Sequence, residues 1–299
     1  MARMMADERR LWRSDIKKEH DMATIPDLRL SDGTDVPAIG FGAWSLNGSA
    51  GVEATTSALE QGYRLIDSAF NYENEGAVGE AVRRSGLPRE SLRITSKLPG
   101  RHHRYDEALA TVEESLWRAG LDYYDLYLIH WPNPKQDLYV EAWRALIEAR
   151  ERGLVRSIGV SNFLPAHLER ILSETGVAPV VNQVEMHPRF PQVEQRAFDK
   201  AHGIVTEAWS PLGRGALLED PVLTTIADRV GRSVGQVVLR WHHQLGSLPL
   251  PRSASPERQA ENLAIFDFTL SADDMAQIAT LARPDGRLKD QDPAHYEEF

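Results

Sequence analysis

The sequence predicts an α/β fold, a (β/α)8 TIM barrel entered through an N-terminal β-hairpin. Three observations lead there. From Ala38 onward the chain repeats one cycle of short apolar strand, polar or glycine-containing loop and helix-period segment, and the strands number eight. Strands alternating with helices pair in parallel through right-handed crossovers, and eight such units close naturally on themselves. The competing doubly wound sheet needs a glycine-rich fingerprint after its first strand, whereas "GFGAWSLNG" offers Gly40 and Gly42 and then Ser45.

Residues 1–23 mix both charge signs without a clear apolar period and read as a loosely ordered extension, leaving 24–299 as one barrel domain. "LRLSDGTDVPAIGFG" gives two short strands around the turn Ser31-Asp32-Gly33-Thr34. The barrel strands are expected at Ala38–Gly42, Arg64–Ser68, Arg93–Lys97, Asp125–His130, Val155–Ser161, Val180–Glu185, Ile204–Trp209 and Ser247–Pro251, with helices such as Tyr105–Ala119 and Leu138–Glu151 between them. The eighth is awkward. Pro249 and Pro251 remove two backbone donors where a closed barrel has no free edge, so this strand should be very short or bulged.

Lys and Arg total 34 against 44 Asp and Glu, a formal net charge of -10, and no basic stripe interrupts that balance, so no nucleic acid partner is expected. With no cysteine there is no disulfide and no thiolate, which fits a cytoplasmic location. The apolar runs are strand-sized and no hydrophobic signal core opens the chain; neither a membrane span nor secretion is expected. The pairs His102-His103 and His242-His243 lack metal-ligand spacing, so no metal is expected, and no G-x-S-x-G elbow suggests a serine hydrolase.

Chemistry in such a barrel sits at the carboxyl ends of the strands. There Asp67 closes "YRLID", Lys97 closes "LRITSK", His130 closes "DLYLIH", and Tyr72 follows in "DSAFNYENE". Each has a plain structural alternative: a turn cap, a solvated strand end, a hydrogen-bonded core histidine, a packing aromatic. Together they bring an acid, an amine, an imidazole and a phenol to one rim. A phenol titrates near 10, so a catalytic tyrosine needs a nearby cation; lowering its pKa by about three units takes roughly 4 kcal/mol. Lys97 would be that cation, Asp67 would hold it, and His130 would orient the reacting oxygen, with Trp131 as an apolar wall.

The motifs "GFGAW", "DSAFNYENEGAVGEAV", "ITSKL", "GLDYYDLYLIHWPNP", "IGVSNF", "NQVEMHP", "AWSPLGRG" and "PRSASPERQAENLAIFDF", in this order, resemble the aldo-keto reductase family, nearest its small bacterial members similar to 2,5-diketo-gluconate reductases. The resemblance implies NADPH-dependent reduction of aldehydes or ketones by hydride transfer, with Asp67, Tyr72, Lys97 and His130 at the catalytic positions. It also implies that Ser161, Asn162 and Gln183 hold the nicotinamide carboxamide and that Trp209, a tyrosine in many relatives, stacks on the ring. Ser210, Leu212 and the backbone of "SPLGRG" would meet the pyrophosphate. Arg252, Ser253 and Arg258 would grip the 2′-phosphate, with Glu261 and Asn262 at the adenine and Arg252 replacing the usual lysine. Read without the family, Ser255 is a good N-cap, Pro256 suits the first helical position, and the helix start beside two arginines is an anion site. Gly42 belongs to the cofactor strand, Ala43 stands where the family often has threonine, and Trp44 and Trp131 would line the substrate pocket.

A small-molecule carbonyl is the expected partner and a monomer the expected state. Two rivals stay open at this point: a redox-sensing NADP(H)-binding subunit on a membrane partner, and a metal-dependent barrel hydrolase using Asp67 and His130. The tail "KDQDPAHYEEF" leaves open whether Tyr296 and Phe299 cover the pocket or pack outside it.

Overall fold

The computed structural model describes residues 25–299, and the extension expected over 1–23 lies outside them. Strand β1 (Asp27–Arg29) pairs antiparallel with β2 (Asp35–Pro37) across the expected turn. Eight parallel strands follow in sequence order: β3 (Phe41–Gly42), β4 (Leu65–Asp67), β5 (Arg93–Leu98), β6 (Tyr124–Ile129), β7 (Val155–Ser161), β8 (Val181–Glu185), β9 (Val205–Trp209) and β10 (Leu248–Pro249). Backbone bonds from Gly40 N to Pro249 O (3.1 Å) and from Gly42 N to Pro251 O (3.0 Å) join the first of these to the last and close the ring. The helix Tyr105–Ala119 has the expected bounds, and the next begins at Tyr139 rather than Leu138.

This seam explains the prolines. Leu250 N donates to Ala208 O of β9 (3.1 Å), so Pro249 and Pro251 turn toward β3, where their carbonyls serve as acceptors. A proline at such a position leaves no donor unmet. The regular strand is two residues long, the shorter of the two expected outcomes. Gly40 permits the close approach, because a Cβ there would lie 2.6 Å from Leu250 Cδ2.

Alternation along the strands sorts the core into two sides. Leu65, Leu126, Leu128, Val181, Leu248 and Leu250 fill the barrel interior together with Leu30 and Val36 from the hairpin region. Their neighbours Ile66, Tyr127 and Ile129 point outward into a larger cluster beneath the helices. The hairpin therefore plugs the amino end, where Ser157 Oγ donates to Asp32 Oδ2 (2.6 Å). Each fully buried leucine contributes about 1.5–3 kcal/mol relative to exposure, so this plug fixes one end of the barrel. The other end is left for polar groups.

Candidate active site

The same alternation decides which side chains reach the carboxyl rim. Two residues beyond Leu65 comes Asp67, beyond Val181 comes Gln183, and beyond Leu128 comes His130, each facing inward above the leucine layer. His130 falls just outside β6, whereas the sequence reading closed the strand with it; its N–H still bonds Leu98 O (3.0 Å), which keeps the strand's direction.

At the centre Lys97 Nζ donates to both oxygens of Asp67 (2.8 and 2.7 Å) and to Ser68 O (2.7 Å). Lys97 is 1 % exposed. Burial works against its charge, but Asp67, Tyr72 and Glu207 outweigh it and hold the ammonium pKa above its usual value. Gln183 Nε2 donates to Asp67 Oδ1 (2.9 Å) and to Glu207 Oε2 (2.9 Å). Glu207 is pushed up to about 7, first by burial and then by the Asp67 charge.

Tyr72 ends a single 3-10 turn, Phe70–Tyr72, and its backbone O accepts from Asn47 Nδ2 (2.6 Å). The Lys97 ammonium stands 5.1 Å from its ring centroid, and the His130 ring meets it edge to face at 5.7 Å. One expectation is overturned here. Burial raises the Tyr72 pKa; Lys97 pulls it down as expected, but Asp67 and Glu298 add to the rise, and the net direction is up. Tyr72 is half-buried at the cleft wall, and burial disfavours a phenolate more than one paired ammonium favours it.

The surrounding motif is scaffolding. Ser68 Oγ donates to Asn74 Oδ1 (2.6 Å), and Asn74 Nδ2 reaches Ala43 O (2.6 Å) and Leu46 O (3.2 Å), tying the β3 loop to the Tyr72 loop. Buried Glu75 accepts from Ser96 Oγ (2.5 Å) behind β5.

A cleft of about 980 Å³ opens above these groups. Asp67, Tyr72 and His130 line it, as do Gly42, Trp44 and Trp131; Lys97 lies beneath the floor. Ser161, Asn162, Gln183, Trp209, Ser210 and Leu212 form a second stretch of the wall, and Arg252, Ser253, Arg258, Glu261 and Asn262 a third. Asn162 takes φ +63° and is held on every side: its Nδ2 donates to His130 O (3.0 Å) and Ser161 Oγ (3.0 Å), and its Oδ1 accepts from Trp209 Nε1 (2.9 Å). In the following loop Gly213 N and Gly215 N are spent on Ser210 O (2.9 Å) and Leu212 O (3.0 Å), so those two donors do not face a ligand. The helix Pro256–Leu263 begins as expected, with Ser255 Oγ accepting from Arg258 N (3.4 Å). Arg252 and Arg258 are exposed, and Asn262 is buried.

Burial drives His103 down to about 4 and His242 down to about 3, so both are neutral packing residues near pH 7. Among the described residues no three His, Cys, Asp or Glu side chains gather as a metal site, and no helix is long and apolar enough to cross a membrane.

A model of the Aldo/keto reductase family matches residues 38–283. The chain belongs to that family. It is 51% identical over 279 residues to a Corynebacterium 2,5-diketo-D-gluconic acid reductase B, covering 93% of this chain and 100% of the relative. An aldo/keto reductase structure from Brucella melitensis superposes with a TM-score of 0.84 at 48% identity, over 86% of this chain and 100% of that one. A Gox0644 variant solved in complex with NADPH gives 0.88 at 43% identity, over 92% and 99%.

Within this aldo/keto reductase the sequence reading missed Glu207 and Glu298. Glu207 was findable: it shares the inward parity of Trp209 in "VTEAW", and an acid inside a buried strand marks an interior polar group. Glu298 carried no such signal, since "YEEF" in a polar tail has no period. The tail question divides: Tyr296 packs on Trp131 with centroids 4.5 Å apart at the cleft wall, while Phe299 stands 82% exposed.

Proposed function

We propose that this aldo/keto reductase reduces aldehydes or ketones to alcohols with NADPH, using Tyr72 as the proton donor. The observation that carries the reading is the buried Lys97–Asp67 pair set against the Tyr72 ring, at a cleft that also takes in the basic start of helix Pro256–Leu263.

The residues present fit the cofactor. Arg252, Ser253 and Arg258 stand at a helix N-terminus, where guanidinium and backbone donors suit a 2′-phosphate and favour NADPH over NADH. Both Nε2 hydrogens of Gln183 are committed to Asp67 and Glu207, which leaves Oε1 to accept from a carboxamide. Trp209, pinned through its indole N–H to Asn162, offers a flat face. When bound, NADPH supplies a hydride to the carbonyl carbon.

The protein handles the proton. With its pKa raised, Tyr72 stays protonated at neutral pH, the state a donor needs. As negative charge grows on the substrate oxygen, the Tyr72 hydroxyl transfers its proton there, and the phenolate left behind is compensated by Lys97, already fixed by Asp67. His130 has Nδ1 beside Glu298, so Nε2 is the nitrogen left to hold the carbonyl oxygen. Trp44, Trp131 and Tyr296 form the apolar wall.

For substrate, keto-sugar acids of the 2,5-diketogluconate type are the first candidates. The name of the 51% identical relative supports this, and Arg214 and Lys289 on the cleft wall could meet a carboxylate. The test is cofactor oxidation with a panel of 2,5-diketogluconate, neutral keto-sugars and simple aldehydes, run with NADPH and NADH. Turnover with NADPH, highest on the keto acid, is expected; NADPH binding without turnover on any carbonyl would sink the reading.

A further inference from the structure

A carboxylate from the tail is locked into the rim beside His130. Glu298 is 8% exposed and is held from three loops at once. Asn71 Nδ2 donates to its Oε1 (2.9 Å) and Gly100 N to its Oε2 (2.9 Å). Its backbone is clasped by one side chain, with Asn133 Nδ2 donating to Glu298 O (2.8 Å) and Glu298 N donating to Asn133 Oδ1 (3.0 Å). These partners sit in the segments that carry Tyr72 and His130 and in the turn that follows the strand of Lys97. His130 Nδ1 lies 2.7 Å from Glu298 Oε1, an ion-pair distance, with the carboxylate off the line of a ring hydrogen bond.

We propose that Glu298 is a positioning residue for the carbonyl reduction: it fixes the His130 ring with Nδ1 toward the tail and Nε2 toward the substrate, and it locks the three loops into one rim. The proposal rests on the reductase reading above. A histidine has two ring nitrogens, and the partner of one decides what the other can do. A carboxylate 2.7 Å from Nδ1 keeps that edge of the ring toward the tail and opposes a ring flip that would turn Nδ1 to the cleft, so that Nε2–H is the donor facing the carbonyl oxygen. Neighbouring groups do not duplicate this. Tyr72 and Lys97 lie on the phenol side, His103 stays neutral, and Arg101 is engaged with Asn71. Burial works to protonate Glu298, but the nearby His130 and the hydrogen bonds from Gly100 N and Asn71 Nδ2 outweigh it and hold its pKa below the ordinary carboxylate value, so the carboxylate stays ionised at neutral pH.

The test uses Glu298→Gln, which keeps the size and the backbone clasp to Asn133, and Glu298→Ala. Both should lower kcat by up to about 100-fold, the cost of a misplaced reacting group, with KM and the NADPH Kd little changed from wild type. Added acetate or formate should restore part of kcat to Glu298→Ala and none to Glu298→Gln, a response that loss of packing alone does not give. In 15N spectra of labelled histidine, the ring-nitrogen signals of His130 should move in both variants. Variants with unchanged or higher kcat, or with no acetate rescue and an unaltered His130 signal, would overturn the proposal. Wild-type protein without turnover on any carbonyl would overturn the reductase reading instead, and the histidine spectrum would still report whether Glu298 holds His130.

Discussion

Tyr72 and Glu207 are governed by the same competition between enclosure and a shared ammonium. Lys97 pulls both toward their charged forms, and burial wins for both. For Glu207 the rise from the ordinary 4.5 to about 7 corresponds to about 3 kcal/mol. The folded protein binds that proton more tightly than the unfolded chain does, so the contribution to stability is full below about pH 4.5 and is lost as pH rises through about 7. Glu207→Gln should therefore lose less stability than wild type between about pH 5 and about pH 8, by up to that amount, in urea melts at each pH. Equal pH dependence in both proteins would show that Glu207 is not the group responsible. Asp67, Lys97 and His130 were legible because strand ends and chemically distinctive residues coincide. The direction of the Tyr72 shift was not, because desolvation depends on how tightly distant segments close around one hydroxyl.

Helix and strand contacts are set by small residues at crossings. Gly79 lies in helix Glu75–Ser85, and a Cβ there would fall 1.7 Å from Ala119 O at the end of the next helix. Because that neighbour is backbone, Gly79→Ala should destabilise by about 3 kcal/mol, read in denaturant melts, with the helix itself formed. A neutral effect would mean that the two helices can separate cheaply. The order of eight strands was readable from the repeating cycle of strand, loop and helix, and the cap at Ser255 from a serine standing directly before Pro256. What could not be read was where the ladder stops. β3 and β10 shrink to two residues each because the seam is carried by carbonyls of Pro249 and Pro251 rather than by a full ladder.

At the scale of the whole molecule, a chain of net charge -10 would have to draw in an anionic cofactor. The local answer is the pair Arg252 and Arg258, both exposed at one helix start on the cleft wall. Arg258→Ala should weaken NADPH binding by about 10–100-fold, as expected for charge-assisted hydrogen bonds, while NADH binding changes little; equal losses for both would remove the 2′-phosphate from this end of the cleft. The barrel's two ends divide the work: leucines and the hairpin plug one, and the other gathers Asp67, Lys97, Tyr72 and His130 under the cleft. The central claim is that Tyr72 donates the proton. It is tested most directly by NADPH consumption with one accepted carbonyl, comparing wild type with Tyr72→Phe at matched cofactor occupancy. The account predicts that kcat falls by about 10³-fold with the NADPH Kd unchanged, whereas a variant that keeps more than about a tenth of wild-type turnover would contradict it.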